Sequence, residues 1–199
     1  MKQRRKKGQK LNFLQKILLM TVVLILQLVG LPLLFGRSTV EQEHVKLLYF
    51  KQKAWDFAEK YRDRDAIVVS KKDHLLYYFR KGELVRNEQW QGFTYDFPVR
   101  VALASKYFRT PEGEMYIDAK NPRSQYILFL SFSGPGAYGI HSAATKFSRY
   151  LDRMERQDPD FRFATLKDDT RGCVQVENRV IKYLYSQVSL KTPVLILPD

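Results

Sequence analysis

The longest apolar run of the chain extends from Ile17 to Phe35 and carries no charged side chain. A helix of these 19 residues spans about 28 Å, close to the ~30 Å hydrocarbon core of a bilayer. Residues 1–16, which precede it, are basic, and basic residues favour the cytoplasmic side of a membrane. We therefore predict a cytoplasmic tail over 1–16, a single membrane anchor over 17–36 and export of the remainder.

A cleavable signal peptide is the alternative interpretation of this apolar run. Signal peptides usually have an apolar core of about 7–15 residues followed by a cleavage site with small residues. The run in this chain is longer, and Leu34-Phe35-Gly36 offers only a poor version of such a site. The pattern favours an anchor that is retained.

The polarity pattern changes after the anchor to that of a helix and then to that of strands. Ser38 and Glu41 have the spacing of a helix capping box, and apolar residues recur every three to four positions over 39–62. The charged run 61–65 ends this pattern. We predict a helical stalk over 37–65.

Short alternating runs typical of strands dominate the rest of the chain, over 66–199. Strands are predicted at 66–70, 75–80, 83–90, 99–105, 114–117, 126–132 and 194–197. Helical spacing appears over 144–157 and 178–188. Many short strands with two late helices predict a mainly β domain with helices, of the α+β class.

The charge of the chain does not indicate a nucleic-acid partner. The formal charge is +13, but seven of the 34 basic residues and none of the acids lie in residues 1–36. About half of the positive excess therefore belongs to the predicted tail. We expect contact with a membrane through 17–36 and no binding of nucleic acid.

The sole cysteine, Cys173, is the first candidate for chemistry. One cysteine excludes an intramolecular disulfide and a cysteine-based metal cluster. A thiol nucleophile needs a base, and His141, which follows a glycine-rich run, is the most economical choice. Two alternatives stay open at this point: Cys173 as a small buried apolar residue, and His141 as a loop histidine. We place His44 on a solvated helix face and His74 in a hairpin turn.

Five segments of the chain are distinctive when taken together and in order. They are IVVSKKDHLLYYFRKGELVRN (67–87), TPEGEMYI (110–117), IHS (140–142), TRGCVQVEN (170–178) and TPVLI (192–196). In this order they resemble the L,D-transpeptidase catalytic domain family, also called the YkuD domain, over roughly 66–198. The resemblance implies a β-sandwich or barrel domain. IDAKNPRS (117–124) and the Asp-x-Thr of 168–170 are similar to the branch of murein enzymes that act on a lipoprotein linkage.

The resemblance assigns roles to the residues that match the family's motifs. Cys173 matches the nucleophile and His141 the general base. Ser142 matches the residue whose backbone carbonyl orients that histidine. The N–H groups of Gly172 and Cys173 match the positions that would receive the oxyanion.

Further matches lie near this group, and two departures qualify it. Thr170 and Gly139 match positions beside the site, and Asn178 matches a residue that braces the loop. Arg171 replaces a histidine found in many members, and it would either favour the thiolate and draw a carboxylate or remain a solvated charge. The 28 residues between His141 and Thr170 exceed the usual spacing, so 142–169 contain an insert that would form a lid or a tolerated surface.

The activity implied is that of a membrane-anchored enzyme outside the cytoplasm of a bacterium. Cys173 would attack a tetrapeptide stem of peptidoglycan, release D-alanine and form a thioester, with no cofactor and no metal. An amine would resolve the thioester into a cross-link or an attached protein, such as a wall-linked lipoprotein. Two alternatives stay open: a hydrolase on the same scaffold, and a wall-binding module without catalysis.

Overall fold

The computed structural model describes residues 48–122, 126, 128–134, 136–142, 150, 153–154, 156–157 and 168–199. The predicted tail 1–16 and anchor 17–36 lie outside these residues. Among the helices of the described residues, none is long and apolar enough to cross a membrane. Phe50–Asp199 form one compact unit.

The described residues form a mainly β structure with helices, as the sequence predicts. Residues 48–60 are helical (α1), and a second helix covers Asn178–Gln187 (α2). The strands are β1 Ala66–Ser70, β2 Leu75–Arg80, β3 Glu83–Leu84, β4 Glu88–Trp90, β5 Phe93–Tyr95, β6 Val99–Arg100, β7 Gly113–Asn121, β8 Phe129–Phe132, β9 Gly139–His141, β10 Val174–Gln175 and β11 Pro193–Leu197.

Nine of these strands form one sheet, in which neighbours follow the order β10-β9-β8-β7-β11-β1-β2-β3 and β6 pairs with β2. The residues after β6 then reach the far end of the sheet. Ala102 exchanges two backbone hydrogen bonds with Gln175 of β10, at 2.9 and 2.8 Å, and Ala104 bridges to Thr170. The segment 99–104 therefore joins both ends, and the sheet curls back on itself.

The core lies on both faces of β1. All five residues of this strand are buried, and they alternate between two apolar clusters. Ile67 and Val69 face the larger cluster, which includes the apolar side of α2. Ala66 and Val68 face a smaller cluster that contains Phe57 and Ala54 of α1. This double burial explains why the sequence of β1, AIVVS, is apolar almost throughout.

The first helix packs on the sheet, although its residues fall within the predicted stalk. Phe57 is 4% exposed and Ala54 is fully buried. Trp55 meets the rings of Tyr77 and Phe79 edge to face, at centroid distances of 5.9 and 5.3 Å. One face of this helix, formed by Phe50, Ala54, Phe57 and Ala58, is thus part of the hydrophobic core of the unit.

The hairpin of β4 and β5 is a separate two-stranded sheet. Arg80 of β2 links it to the main body by donating to both carboxylate oxygens of Glu88, at 2.6 and 3.0 Å. The same guanidinium donates to Tyr183 and Gln187 of α2, at 3.1 and 3.0 Å. The hydrogen bonds from Arg80 hold the pKa of Glu88 below its usual value. One arginine therefore connects three elements.

The structure departs from the predicted strands where pairing partners change. The predicted strand 83–90 is split into β3 and β4, and its middle includes Asn87 at φ +50°. The predicted strand 99–105 keeps only two residues as β6, because its later residues leave β2 for Thr170 and Gln175. Of the predicted helix 144–157, the described residues 150, 153–154 and 156–157 are helical. The remainder lies outside the described residues.

The burial of Phe57 predicts a large loss of stability when its ring is removed. We expect Phe57→Ala to lower the free energy of unfolding by about 3–5 kcal/mol, the usual cost of such a cavity. The control is Gln52→Ala on the same helix, which removes only an exposed hydrogen bond to Asp56 and should cost about 0.5 kcal/mol or less. Urea unfolding measures both. Equal stability of the two variants would show that α1 is not part of the core.

Candidate active site

Two short parallel strands bring Cys173 and His141 to one region of the fold. Val174 pairs with Ile140 and Gln175 with His141. Val174 and Ile140 are fully buried in the main core, so the alternation of the strands directs Gln175 and His141 to the opposite face. Cys173 immediately precedes β10, two residues before Gln175. The same alternation therefore places the cysteine on the face of the histidine.

The ring of His141 is held by a single strong hydrogen bond. Its Nδ1 lies 2.6 Å from the carbonyl oxygen of Ser142, and both residues are buried. A carbonyl only accepts, so Nδ1 carries the hydrogen and the neutral ring keeps a lone pair on Nε2. Nε2 is buried and has no hydrogen-bond partner among the described residues. The tautomer is therefore the one that a general base needs at Nε2.

Burial also sets the protonation state of this histidine. It lowers the pKa of His141, while the hydrogen bond to Ser142 and the charge of Asp169 act in the opposite direction. Tyr126 stacks on the imidazole with ring centroids 3.7 Å apart and adds to its enclosure. His141 is consequently neutral, and able to accept a proton, over more of the acidic range than an exposed histidine.

The thiol of Cys173 is in its neutral form in this environment. Burial raises the pKa of Cys173, and a backbone hydrogen bond from Gly139 opposes that shift. Sγ lies 3.8 Å from the carbonyl oxygen of Ala137, to which it donates. Since Nε2 of His141 has no partner among the described residues, a direct proton transfer requires Sγ to leave Ala137 and approach the ring. A neutral pair with proton transfer at the time of attack fits these groups better than a preformed thiolate.

Thr170 holds the turn that carries the cysteine. Its hydroxyl donates to the carbonyl oxygen of Cys173 at 2.7 Å and accepts from the N–H of Gly172 at 3.3 Å. An oxyanion at Gly172 would therefore have to replace this long hydrogen bond. The backbone of Thr170 pairs in turn with Leu103 and Ser105, at 3.2 and 2.9 Å. The turn is thus tied to the segment that closes the sheet.

Gly172 occupies a position that only glycine fits. Its φ of +121° disfavours any residue with a side chain, and an added Cβ would lie 2.3 Å from the ring of Tyr138. Gly139 is equally crowded, since a Cβ there would lie 2.1 Å from the carbonyl oxygen of Leu130. Both glycines let backbone pack closely around the cysteine.

The other predicted site residues lie around this group. Asn178 is buried at the start of α2. Arg171 is exposed, with its guanidinium 5.9 Å from the ring centroid of Phe108. It is not among the groups that shift the pKa of Cys173 in the described part of the chain. Of the insert 142–169, Ser142 lies beside His141, and residues 143–149, 151–152, 155 and 158–167 lie outside the described residues.

Sequence reasoning missed the aromatic surroundings of the site. Tyr126 covers His141, Phe129 pairs with it in register, and Tyr138 lies against Gly172. Tyr126 and Phe129 lie in a predicted strand, but their contact with the histidine depends on the register of β8 against β9. Within the described residues, no group of three or more His, Cys, Asp and Glu side chains is arranged to hold a metal ion.

Comparison with known families identifies the domain. The model of the L,D-transpeptidase catalytic domain, YkuD, matches residues 64–196, which is more than half of the chain. The chain belongs to this family. A comparison with curated proteins finds no match.

The comparison with solved structures finds L,D-transpeptidases. L,D-transpeptidase 3 of Mycobacterium tuberculosis is 14% identical with a TM-score of 0.49, covering 67% of this chain and 61% of that one. An L,D-transpeptidase of Mycobacterium smegmatis is 14% identical with a TM-score of 0.47, covering 68% and 59%. A mutant form of the Enterococcus faecium enzyme is 17% identical with a TM-score of 0.46, covering 67% and 50%. The chain thus spans about half to three fifths of these proteins.

The two hydrogen bonds of the Thr170 hydroxyl predict the cost of losing it. Thr170→Val keeps the shape and leaves the Gly172 N–H and the Cys173 carbonyl without this partner. We expect a loss of about 1–2 kcal/mol in the free energy of unfolding, measured with urea. Thr170→Ser retains the hydroxyl and should lose clearly less. A valine variant as stable as the serine variant would refute the bracing role of the hydroxyl.

Proposed function

We propose that this protein is a cysteine-dependent L,D-transpeptidase that acts on peptidoglycan. The observation that carries the proposal is the pairing of β9 and β10 inside an L,D-transpeptidase domain. It brings the sole cysteine to the same face as a histidine whose Nδ1 is fixed by Ser142 and whose Nε2 lone pair has no hydrogen-bond partner among the described residues. These are the parts that nucleophilic acyl transfer requires.

The first half of the reaction forms a thioester. The thiol proton passes to His141 Nε2 as Sγ attacks the carbonyl at the L-centre of the diamino acid in a tetrapeptide stem. The carbon–nitrogen bond to D-alanine then breaks. His141 returns the proton to the departing amine, which leaves as free D-alanine. The N–H groups of Gly172 and Cys173 are the proposed donors to the oxyanion.

The second half consumes the thioester. An amine of another stem, or of a wall-linked lipoprotein, attacks the acyl carbon while His141 accepts its proton, and the Cys173 thiol is regenerated. No cofactor or metal enters these steps. Arg171, exposed beside the nucleophile, is placed to attract a stem carboxylate, and its proximity to Cys173 in sequence supports that role.

The proposed location is the outer face of the bacterial cytoplasmic membrane. The uncharged run from Ile17 to Phe35 after a basic tail supports a single anchor with the catalytic domain outside the cytoplasm. A substrate in the cell wall agrees with that location. This placement puts the start of the predicted stalk 37–65 next to the membrane, while Phe50, Ala54 and Phe57 of the same segment belong to the core of the domain.

Water in place of the amine gives the second candidate, a hydrolase that cleaves cross-links or releases a wall-bound lipoprotein. It uses the same thioester and the same residues, so it differs only in the acceptor. We favour the transferase because the family to which the catalytic domain belongs is that of L,D-transpeptidases. A non-catalytic wall-binding module is the third candidate.

Mass spectrometry of the products separates these functions. The purified protein and Cys173→Ala are each incubated with disaccharide-tetrapeptide and with lipoprotein-bearing wall. We expect the wild type alone to release D-alanine and to form dimers or amine adducts. Released stems or lipoprotein without adducts would indicate the hydrolase. Identical spectra from the two proteins would refute catalysis.

The pH dependence follows from the burial of His141. The base works only when it is neutral, and burial holds the pKa of His141 below the ordinary 6.5. We therefore expect kcat/KM for D-alanine release to persist as the pH falls through 6.5 and to be lost only at lower pH. His141→Gln should remove this acid limb together with most of the rate. An acid limb above the ordinary histidine pKa in the wild type would contradict the assignment.

A further inference from the structure

We propose that His74 and Asp168 form a positioning pair that fixes the turn 170–173, which carries Cys173, from a site outside this turn. His74 lies in the turn between β1 and β2, and Asp168 lies shortly before Thr170 in the chain. His74 Nε2 is 2.8 Å from Asp168 Oδ2. The pair joins two segments far apart in sequence, and neither residue touches the reacting atoms.

The carboxylate of Asp168 connects His74 to the backbone of Leu103. Its second oxygen, Oδ1, accepts from the N–H of Leu103 at 2.8 Å. The carbonyl of Leu103 accepts from the N–H of Thr170 at 3.2 Å. The hydroxyl of Thr170 then donates to the carbonyl oxygen of Cys173. A continuous series of hydrogen bonds therefore leads from His74 to the nucleophile.

The end of this series at His74 is rigid. His74 adopts φ +54°, a left-handed conformation that histidine tolerates better than most residues. Its N–H donates to the carbonyl of Lys71 at 3.3 Å, and its carbonyl accepts from Val101 at 3.0 Å. The turn also follows directly on β1, which is buried on both faces. The imidazole thus projects from the core of the fold and supplies a fixed point for Asp168.

Stability alone does not account for the pair. The side chains of His74 and Asp168 are 36% and 41% exposed, and pairs of that exposure contribute little to folding. They line a cavity of about 490 Å³ together with Lys106 and Arg109, two cations on the segment that follows Leu103. Contact with His74 selects the orientation in which Oδ1 meets Leu103.

The test compares two replacements of His74. One keeps its tolerance of a left-handed backbone, and the other keeps its reach to Asp168. Asn tolerates the left-handed backbone but is too short to reach Asp168. Gln places its amide nitrogen as many bonds from the backbone as Nε2 and can donate to the carboxylate. The kinetic readout of this inference rests on the proposed function. Hydrogen exchange of the Leu103 and Thr170 amides is a second readout, which needs no activity.

We expect His74→Asn to lower kcat for D-alanine release about tenfold, with KM within about threefold of wild type, because a shifted nucleophile loses rate more than binding. We expect His74→Gln to recover kcat to within about threefold of wild type. Exchange at Leu103 and Thr170 should quicken in the Asn variant and stay near wild type in the Gln variant. If the pair served folding alone, the melting temperature would change without this difference between the Asn and Gln variants in kcat and amide exchange.

Asp168→Ala completes a double-mutant cycle with His74→Asn. If His74 acts through the carboxylate, His74→Asn adds little once Asp168→Ala is present, and additive effects would overturn the proposal. Unchanged amide exchange in His74→Asn would overturn it whatever the activity. If the wild type releases no D-alanine, the proposed function fails, and the exchange data still decide the role of the pair. Should His74→Asn not fold, Asp168→Asn, which keeps an acceptor for Leu103 and lacks the charge, provides the same comparison.

Discussion

The parallel pairing of β10 with β9 is the interaction on which the site depends. It lasts for only two residue pairs, yet it places Cys173 and His141 on the same face, away from the core. So short a ladder is weak by itself. Its strength comes from Val174 and Ile140, which are buried in the main cluster, and from the hydrogen bonds of the Thr170 turn. The packing of Val174 and Ile140 on one face thus fixes the positions of Cys173 and His141 on the other.

The surroundings of the two reacting groups favour their neutral forms. Burial raises the pKa of Cys173 and lowers that of His141, so each shift opposes a resting ion pair. In the proposed reaction the thiol stays protonated until a substrate brings Sγ away from the Ala137 carbonyl and toward the imidazole. Such a thiol is protected from oxidation while it waits, since the thiolate is the reactive species.

Sequence patterns predicted the strands that are apolar and bounded by polar turns. They missed the strands that are defined only by their pairing with a neighbouring strand. β1 and β2 have the predicted bounds, because their residues are apolar and their turn is polar. β9 and β10, with three and two residues, are too short to give a period. Cys173, His141 and Ser142 could be selected from motifs, whereas the contact of Tyr126 with His141 requires the register of β8. His74 looked like an ordinary turn residue because its partner, Asp168, is distant in sequence.

The segment 99–104 closes the sheet by pairing with β2 at one end and with β10 at the other. The same few residues therefore close the curled sheet and pair with the strand that follows Cys173. Loss of this segment would open the sheet and remove the pairing of Ala102 with β10. Heat should then abolish the fold and the proposed catalysis in a single cooperative transition, with no inactive but folded form in between.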